Sequence, residues 1–178
     1  MEWRIIPGYD RTEELAVLFA DYTRMLIAGE PEMVGYLDQQ DIRWEVDHLQ
    51  EKYGGPNGRL YVALADQCVV GCVALRSIDD KSGELKRLYV VPEMRGHGIA
   101  RALTRKAIDD ARSIGYRRLL LDTLPFLTEA IALYESEGFC RVEKYNDSPP
   151  KNPRKNYIFH IHGKFSCSQI HHTFFSGL

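Results

Sequence analysis

Apolar positions along the chain alternate between two periods, and the changes of period divide it into elements. Leu15, Leu18, Phe19, Tyr22 and Leu26 recur at the three-and-four spacing of a helix face, after a capping-box-like start from Asp10 to Glu13. Ile42, Val46, Leu49 and Tyr53 repeat that spacing and predict a second helix, stopped by Gly54-Gly55-Pro56. Leu103, Ala107, Ala111 and Ile114 predict a third helix over Ile99–Ile114, closed by Gly115. Thr128 to Glu137 predicts a fourth, which Gly138 caps while Phe139 packs back on it.

Strand-length apolar stretches fill the intervals: Glu2–Ile6, Arg59–Ala65, Val69–Arg76, Glu84–Val91, Arg117–Thr123, Cys140–Tyr145 and Tyr157–His162. Asp66-Gln67-Cys68 suits a hairpin between two of them, and Asp79–Gly83 a turn into the next. Leu119-Leu120-Leu121 lacks alternation, as in a strand buried on both faces. Residues 29–40 read as irregular, and 146–156 as a polar, proline-containing loop. The order is strand, two helices, three strands, helix, strand, helix, two strands. It predicts an α/β domain over residues 1–162 with a mixed sheet. The tail, 163–178, has no clear period, and its order stays open.

Composition adds a class and little more. The 178 residues are 44% hydrophobic and 27% charged, as in a soluble globular chain with one proper core. No apolar run is long enough to span a bilayer, and the N-terminus lacks a signal-peptide pattern. Cys68, Cys72, Cys140 and Cys167 show no metal-ligand spacing, so the expectation is a reducing cytoplasm and no metal site. Net charge is −2, but residues 1–53 carry −7 and residues 54–178 carry +5. That asymmetry either steers a ligand or is ordinary solvated surface.

The chemistry concentrates at Arg95-Gly96-His97-Gly98-Ile99-Ala100, between the strand ended by Pro92 and the Ile99–Ile114 helix. A glycine turn opening a helix aims unpaired N–H groups and the positive end of the macrodipole at one spot. Such a turn binds phosphate, and glycines let the phosphate approach the backbone. A P-loop would need a Gly-Lys-Ser/Thr ending, which is absent. Asp122 stands roughly where a dinucleotide fold places its ribose acid, but the preceding hairpin and short turn suit that fold poorly.

Three separated pieces combine: Glu84 early in a strand, Arg95-x-x-Gly98-x-Ala100, and Leu133-Tyr134 followed by Gly138-Phe139. With the element order they resemble the GNAT acetyltransferase superfamily over roughly residues 2–162. The resemblance implies a single-domain fold, a mostly antiparallel twisted sheet of about seven strands flanked by about four helices. It implies an acetyl-CoA-dependent N-acetyltransferase moving acetyl to a primary amine by direct transfer, without a metal. Glu84 would be the general base, against the simpler role of a solvated strand acid or an ion pair with Lys86 or Arg87. Backbone of Leu88, Tyr89 and Val90 would pair with the pantetheine arm, one amide polarising the thioester carbonyl. Arg95, Gly96, His97, Gly98, Ile99, Ala100 and Arg101 would hold the pyrophosphate, although His97 reads equally as an exposed loop residue. Arg101 and Arg105 share a helix face and either meet nucleotide phosphates or, for Arg105, pair with Asp109. Tyr134 would protonate the coenzyme A thiolate. Leu127 stands where the family often carries Asn, so that residue's contacts do not carry over.

The acceptor is less legible. Glu30, Glu32, Asp38, Asp41, Glu45 and Asp47, with Trp44 among them, suit a cationic amine or form a solvated helix face with Trp44 packed inward. His160 and His162 share a strand face but lack a third metal ligand. Basic residues form no aromatic-interleaved run, so nucleic acid is not expected, nor is a membrane partner. A small-molecule amine is the leading acceptor. A peptide amine, or a non-catalytic acyl-CoA-binding or regulatory module, is the alternative. Oligomeric state, homodimer included, is not readable.

Overall fold

A computed structural model describes residues 2–34, 41–142 and 157–162. Seven strands form one sheet: β1 (Trp3–Pro7), β2 (Arg59–Ala65), β3 (Cys68–Asp79), β4 (Ser82–Val90), β5 (Arg118–Thr123), β6 (Cys140–Val142) and β7 (Tyr157–His162). Their spatial order is β1-β2-β3-β4-β5-β7-β6. Neighbours run antiparallel except β4 and β5, which are parallel. The helices are α1 (Thr12–Gly29), α2 (Ile42–Asp47), α3 (Leu49–Tyr53), α4 (Ile99–Ile114) and α5 (Thr128–Ser136).

The expected α/β architecture is therefore present, with five α-helices among the described residues against about four expected. The pattern from Ile42 to Tyr53 yields two helices because His48 interrupts it. Its ring Nδ1 takes the Trp44 carbonyl at 2.7 Å, and the His48 N–H falls back to the Glu45 carbonyl at 3.2 Å. Asp10 does not cap α1, whose N-cap is Arg11 without a side-chain cap bond. Of the strand expected over Cys140–Tyr145, Cys140–Val142 is observed. Residues 143–145, the loop at 146–156 and the tail at 163–178 lie outside the described residues.

Each face of the sheet carries a core. On one, Leu103, Ala107 and Ala111 of α4 meet Val73, Leu75, Leu85, Leu119 and Leu121. On the other, Leu15 and Phe19 of α1, with Val46, Leu49 and Tyr53, meet Leu60, Val62, Cys72 and Ala74. Truncating one of these buried leucines to alanine costs about 2–5 kcal/mol. Both ends of α4 turn on left-handed glycines, Gly98 at φ +78 and Gly115 at φ +99, a backbone that a Cβ disfavours.

Two irregularities in β4 shape the centre. Its ladder with β5 has three pairs, Ser82–Arg118, Gly83–Leu119 and Glu84–Leu120, after which the strands diverge. On its other side Cys72 pairs with Tyr89 and Ala74 with Lys86, so Arg87 and Leu88 together oppose Val73. This is a β-bulge, with Arg87 in the left-handed region at φ +55.

Candidate active site

The divergence of β4 from β5 opens a cleft of about 760 Å3. One wall is Leu88, Tyr89 and Val90 of β4; the other is Asp122 and Thr123 of β5 with Phe126 and Leu127 beyond it. Met94, Arg95, Gly96, Gly98, Ile99, Ala100 and Arg101 close one end, where α4 begins. Thr128, Glu129, Ala130, Leu133 and Tyr134 come from α5, and Tyr22 and Met25 from α1.

Local chemistry explains how Tyr134 arrives there. The α5 helix ends in a Schellman motif: the Phe139 N–H donates to the Tyr134 carbonyl at 3.0 Å and the Gly138 N–H to the Glu135 carbonyl at 3.1 Å. Gly138 supplies the φ of +93 that the motif needs. The accompanying contact is the Tyr134–Phe139 ring pair, edge-to-face at 5.7 Å between centroids. Tyr134 is thus fixed against the core while lining the cleft. Burial pushes its phenol above the ordinary tyrosine range, with the nearby Tyr22 adding to the effect, so it stays protonated at any working pH.

The turn before α4 has the shape of an anion cradle. A Cβ built on Gly96 (φ +79) or Gly98 (φ +78) meets nothing within 4 Å, so the backbone faces open space. The first N–H groups of α4 have no intrahelical partner. Arg95 donates from Nε to the Val90 carbonyl at 3.2 Å and lies 5.9 Å over the Tyr89 ring, which ties the turn to β4. These features fit the pyrophosphate of a coenzyme. His97 is exposed, its ring against the Arg95 carbonyl at 3.0 Å, and it is not among the cleft-lining residues. Arg101 and Arg105 both pair with Glu137, at 2.6 and 2.8 Å. The Arg105–Asp109 pair, one of the two alternatives for Arg105, is not formed; Asp109 pairs with Arg112 instead.

Of the twelve residues picked out in the sequence, ten line the cleft. Besides His97, the exception is Glu84. Its side chain is 3% exposed; Arg76 Nε donates to Oε2 at 2.5 Å, and Lys86 Nζ stands 3.9 Å from Oε1. Strand alternation puts Glu84, Lys86 and Asp122 on the α1 face, since Leu85, Leu119 and Leu121 belong to the α4-side core. Burial lowers the Lys86 pKa against the pull of Glu84, and Asp122 also stabilises the Lys86 charge. Among the described residues, Asp122 and Glu129 are the carboxylates lining the cleft.

Among the described residues, Glu30, Glu32, Asp41, Glu45 and Asp47 do not line this cleft. Asp41 caps α2 by accepting from the Trp44 N–H at 2.9 Å. Trp44 is neither packed inward nor at the cleft: it is 43% exposed and stacks on His48 at 4.4 Å. Asp38 lies outside the described residues. Glu45, 1% exposed, faces the core and binds Arg87, whose Nε donates to Oε1 at 2.7 Å and Nη2 to Oε2 at 2.8 Å. Tyr53 Oη also donates to Oε1 at 2.7 Å, and Lys52 completes the cluster. Burial raises the Glu45 pKa, but the hydrogen bond and charge of Arg87, with those of Lys52, outweigh it and hold the carboxyl at about 2. The Arg87 guanidinium lies 4.9 Å over the Phe19 ring. Cys72 Sγ donates to the Arg87 carbonyl at 3.1 Å, and burial pushes that thiol up to about 12.

Sequence reasoning missed Tyr22, Met25 and Phe126, whose presence depends on how α1 docks beside the β5–α5 link. It offered Arg87 as a partner of Glu84, whereas Arg87 pairs with Glu45, a position 42 residues away that carries no local signal. Among the described residues no group of His, Cys, Asp and Glu is arranged to hold a metal, and no helix is long and apolar enough to cross a membrane. The side chains of His160 and His162 lie outside the described residues.

This arrangement matches a known family: the model of the acetyltransferase (GNAT) family fits residues 18–139. The chain is 36% identical to an uncharacterized N-acetyltransferase of Schizosaccharomyces pombe, covering 64% of this chain and 71% of that one. It is 26% identical to an uncharacterized N-acetyltransferase of Dictyostelium discoideum, covering 84% and 94%. The fold is that of the PaiA N-acetyltransferase of Thermoplasma acidophilum, solved in complex with coenzyme A: TM-score 0.70 at 19% identity, over 91% of this chain and 99% of that one. The protein belongs to the GNAT family and is an acyltransferase of the N-acetyltransferase kind.

Proposed function

We propose that the protein moves the acetyl group of acetyl-CoA directly to a primary amine of a small acceptor, both substrates being bound together. The observation that carries this reading is the shared cleft: a protonated, buried Tyr134 and an open glycine cradle meet where β4 leaves β5. Acetyl-CoA, when bound, supplies the activated thioester. Amides from Gly96 to Arg101, with Arg95, hold its pyrophosphate. The backbone of Leu88 to Val90, released from β5, pairs with the pantetheine arm, and one of its N–H groups polarises the thioester carbonyl. Tyr134 donates its proton to the departing sulfur.

An alkylammonium with a pKa near ~10.4 must lose a proton before it attacks. Two carboxylates on the α1 face suit that task. Asp122 lines the cleft directly, whereas Glu84 does not and is engaged by Arg76, with Lys86 nearby. We assign the base to Asp122, with Glu84 as the competing assignment that its strand position suggests. Asp122 and Glu129, beside the aromatic and apolar surface of Tyr22, Met25 and Phe126, suit a small cationic amine.

The test is release of free coenzyme A thiol from acetyl-CoA across a panel of small amines and, separately, peptides, with product masses measured. Release with small amines and a matching acetylated product supports the reading. Calorimetric coenzyme A binding without release on either panel would make the protein a binding module.

A further inference from the structure

We infer that the Glu45–Arg87 pair is a clamp that sets the β4 bulge, and through it the amides of Leu88 and Tyr89 that flank the cleft. This rests on the reading above, in which those amides polarise the thioester carbonyl. Arg87 and Glu45 are then positioning residues, joining the short helix α2 to the part of the sheet where transfer occurs.

The first argument is conformational. Arg87 holds φ +55 in mid-strand, where glycine is the residue without steric cost. An arginine stays in that conformation when its surroundings over-determine it. They do so from both ends: the guanidinium grips Glu45 with two hydrogen bonds over Phe19, and the carbonyl takes the Cys72 thiol. The bulge and the clamp are the same residue.

The second argument concerns what else such a pair does. A buried ion pair is a weak source of net stability, since apolar side chains of similar volume often do as well. Its distinct property is direction, a planar fork matched to one carboxylate. Glu45 is saturated by Arg87, Tyr53 and Lys52, so the position of the fork is fixed by α2 and α3. Leu88 and Tyr89 follow Arg87 immediately, and both line the cleft. A change of φ at Arg87 therefore reorients those amides before it disturbs the glycine cradle.

The experiment uses acetyl-CoA carrying a carbonyl-13C label, bound to the full chain without acceptor, and reads the thioester carbonyl stretch by isotope-edited infrared difference spectroscopy. Two double variants separate the clamp from its geometric effect. In Glu45→Gln/Arg87→Met the pair is gone and residue 87 retains its Cβ penalty. In Glu45→Gln/Arg87→Gly the pair is gone and the left-handed conformation is free of that penalty. Gln keeps an acceptor for Tyr53 in both. The wild type is expected to lower the bound carbonyl frequency; the methionine variant returns it most of the way to the free value, and the glycine variant retains the wild-type shift. A full shift in the methionine variant overturns the clamp, as does an equal loss in both variants. Should the methionine variant fail to bind coenzyme A, Glu45→Gln alone reads the same quantity: a partial loss of shift supports the clamp and an unchanged shift overturns it. No shift in the wild type would instead remove the thioester reading beneath it.

Discussion

Arg76 Nε donates to Glu84 Oε2 at 2.5 Å, across a register pair of β3 and β4, and Lys86 Nζ stands 3.9 Å from the other carboxylate oxygen. The acid that the family pattern singles out as a base is thus part of an internal charge row. Its lone pairs face neighbouring cations, while Asp122 lines the cleft.

Replacement of each carboxylate in turn separates these roles. Asp122→Asn is expected to lower kcat by about 10²–10⁴-fold. Glu84→Gln is expected to lower stability by about 1–3 kcal/mol, from lost charge-assisted hydrogen bonds, with a much smaller effect on kcat. Thiol-release kinetics, with thermal melting in parallel, read both. The reverse pattern would return the base to Glu84.

Tyr134→Phe removes the phenol but preserves the ring packed on Phe139. Turnover is expected to fall by about 10²-fold or more, with coenzyme A affinity nearly unchanged. Thiol-release kinetics and calorimetry check the pair of expectations. Full turnover at every pH would eliminate the acid role.

Glu45 makes stability pH-dependent in a defined window. Its folded pKa is depressed, from 4.5 to about 2, so its contribution is complete above pH 4.5 and disappears as pH falls toward 2. At 1.36 kcal/mol per unit this amounts to roughly 3 kcal/mol at neutral pH. Urea unfolding of wild type and Glu45→Gln at pH 7, 4 and 3 is expected to show a stability gap that narrows with acid. A gap independent of pH would contradict it.

Gly98→Ala places a Cβ in open space but on a backbone at φ +78. The expected cost is about 1–2 kcal/mol of strain. For a chain of this size that lowers Tm by roughly 2–8 °C. Coenzyme A binding weakens as well, because the new methyl stands where a phosphate would approach. Melting and calorimetry measure the two effects on one preparation.

Much of the fold is legible in the sequence where local chemistry decides it. The bounds of α4 agree with the pattern because glycines in the left-handed conformation stop it at both ends, and Phe139 returns to Tyr134 because Gly138 permits the motif. The break at His48 is not legible, since it depends on a ring nitrogen winning a carbonyl from a backbone N–H. Glu45 and Trp44 read as a surface for an amine, and one is buried on Arg87 while the other is stacked outside. Periodicity marks α2 as amphipathic, but a charged residue on its buried side is recognisable only once its partner is known. The same holds for Arg87: nothing about an arginine between Lys86 and Leu88 announces a bulge.

The seam between β4 and β5 has a thermodynamic consequence. Three residue pairs join strands β1–β4 to strands β5–β7 within the sheet, and the unpaired edge of Leu88 to Val90 lies just past the last of them. A ligand laid along that edge acts as an additional strand, and its occupancy becomes part of the cohesion of the domain. At a concentration of a hundred times its Kd such a ligand adds about 2.7 kcal/mol. The supply of coenzyme would then govern both how fast the protein works and how long each molecule survives unfolding.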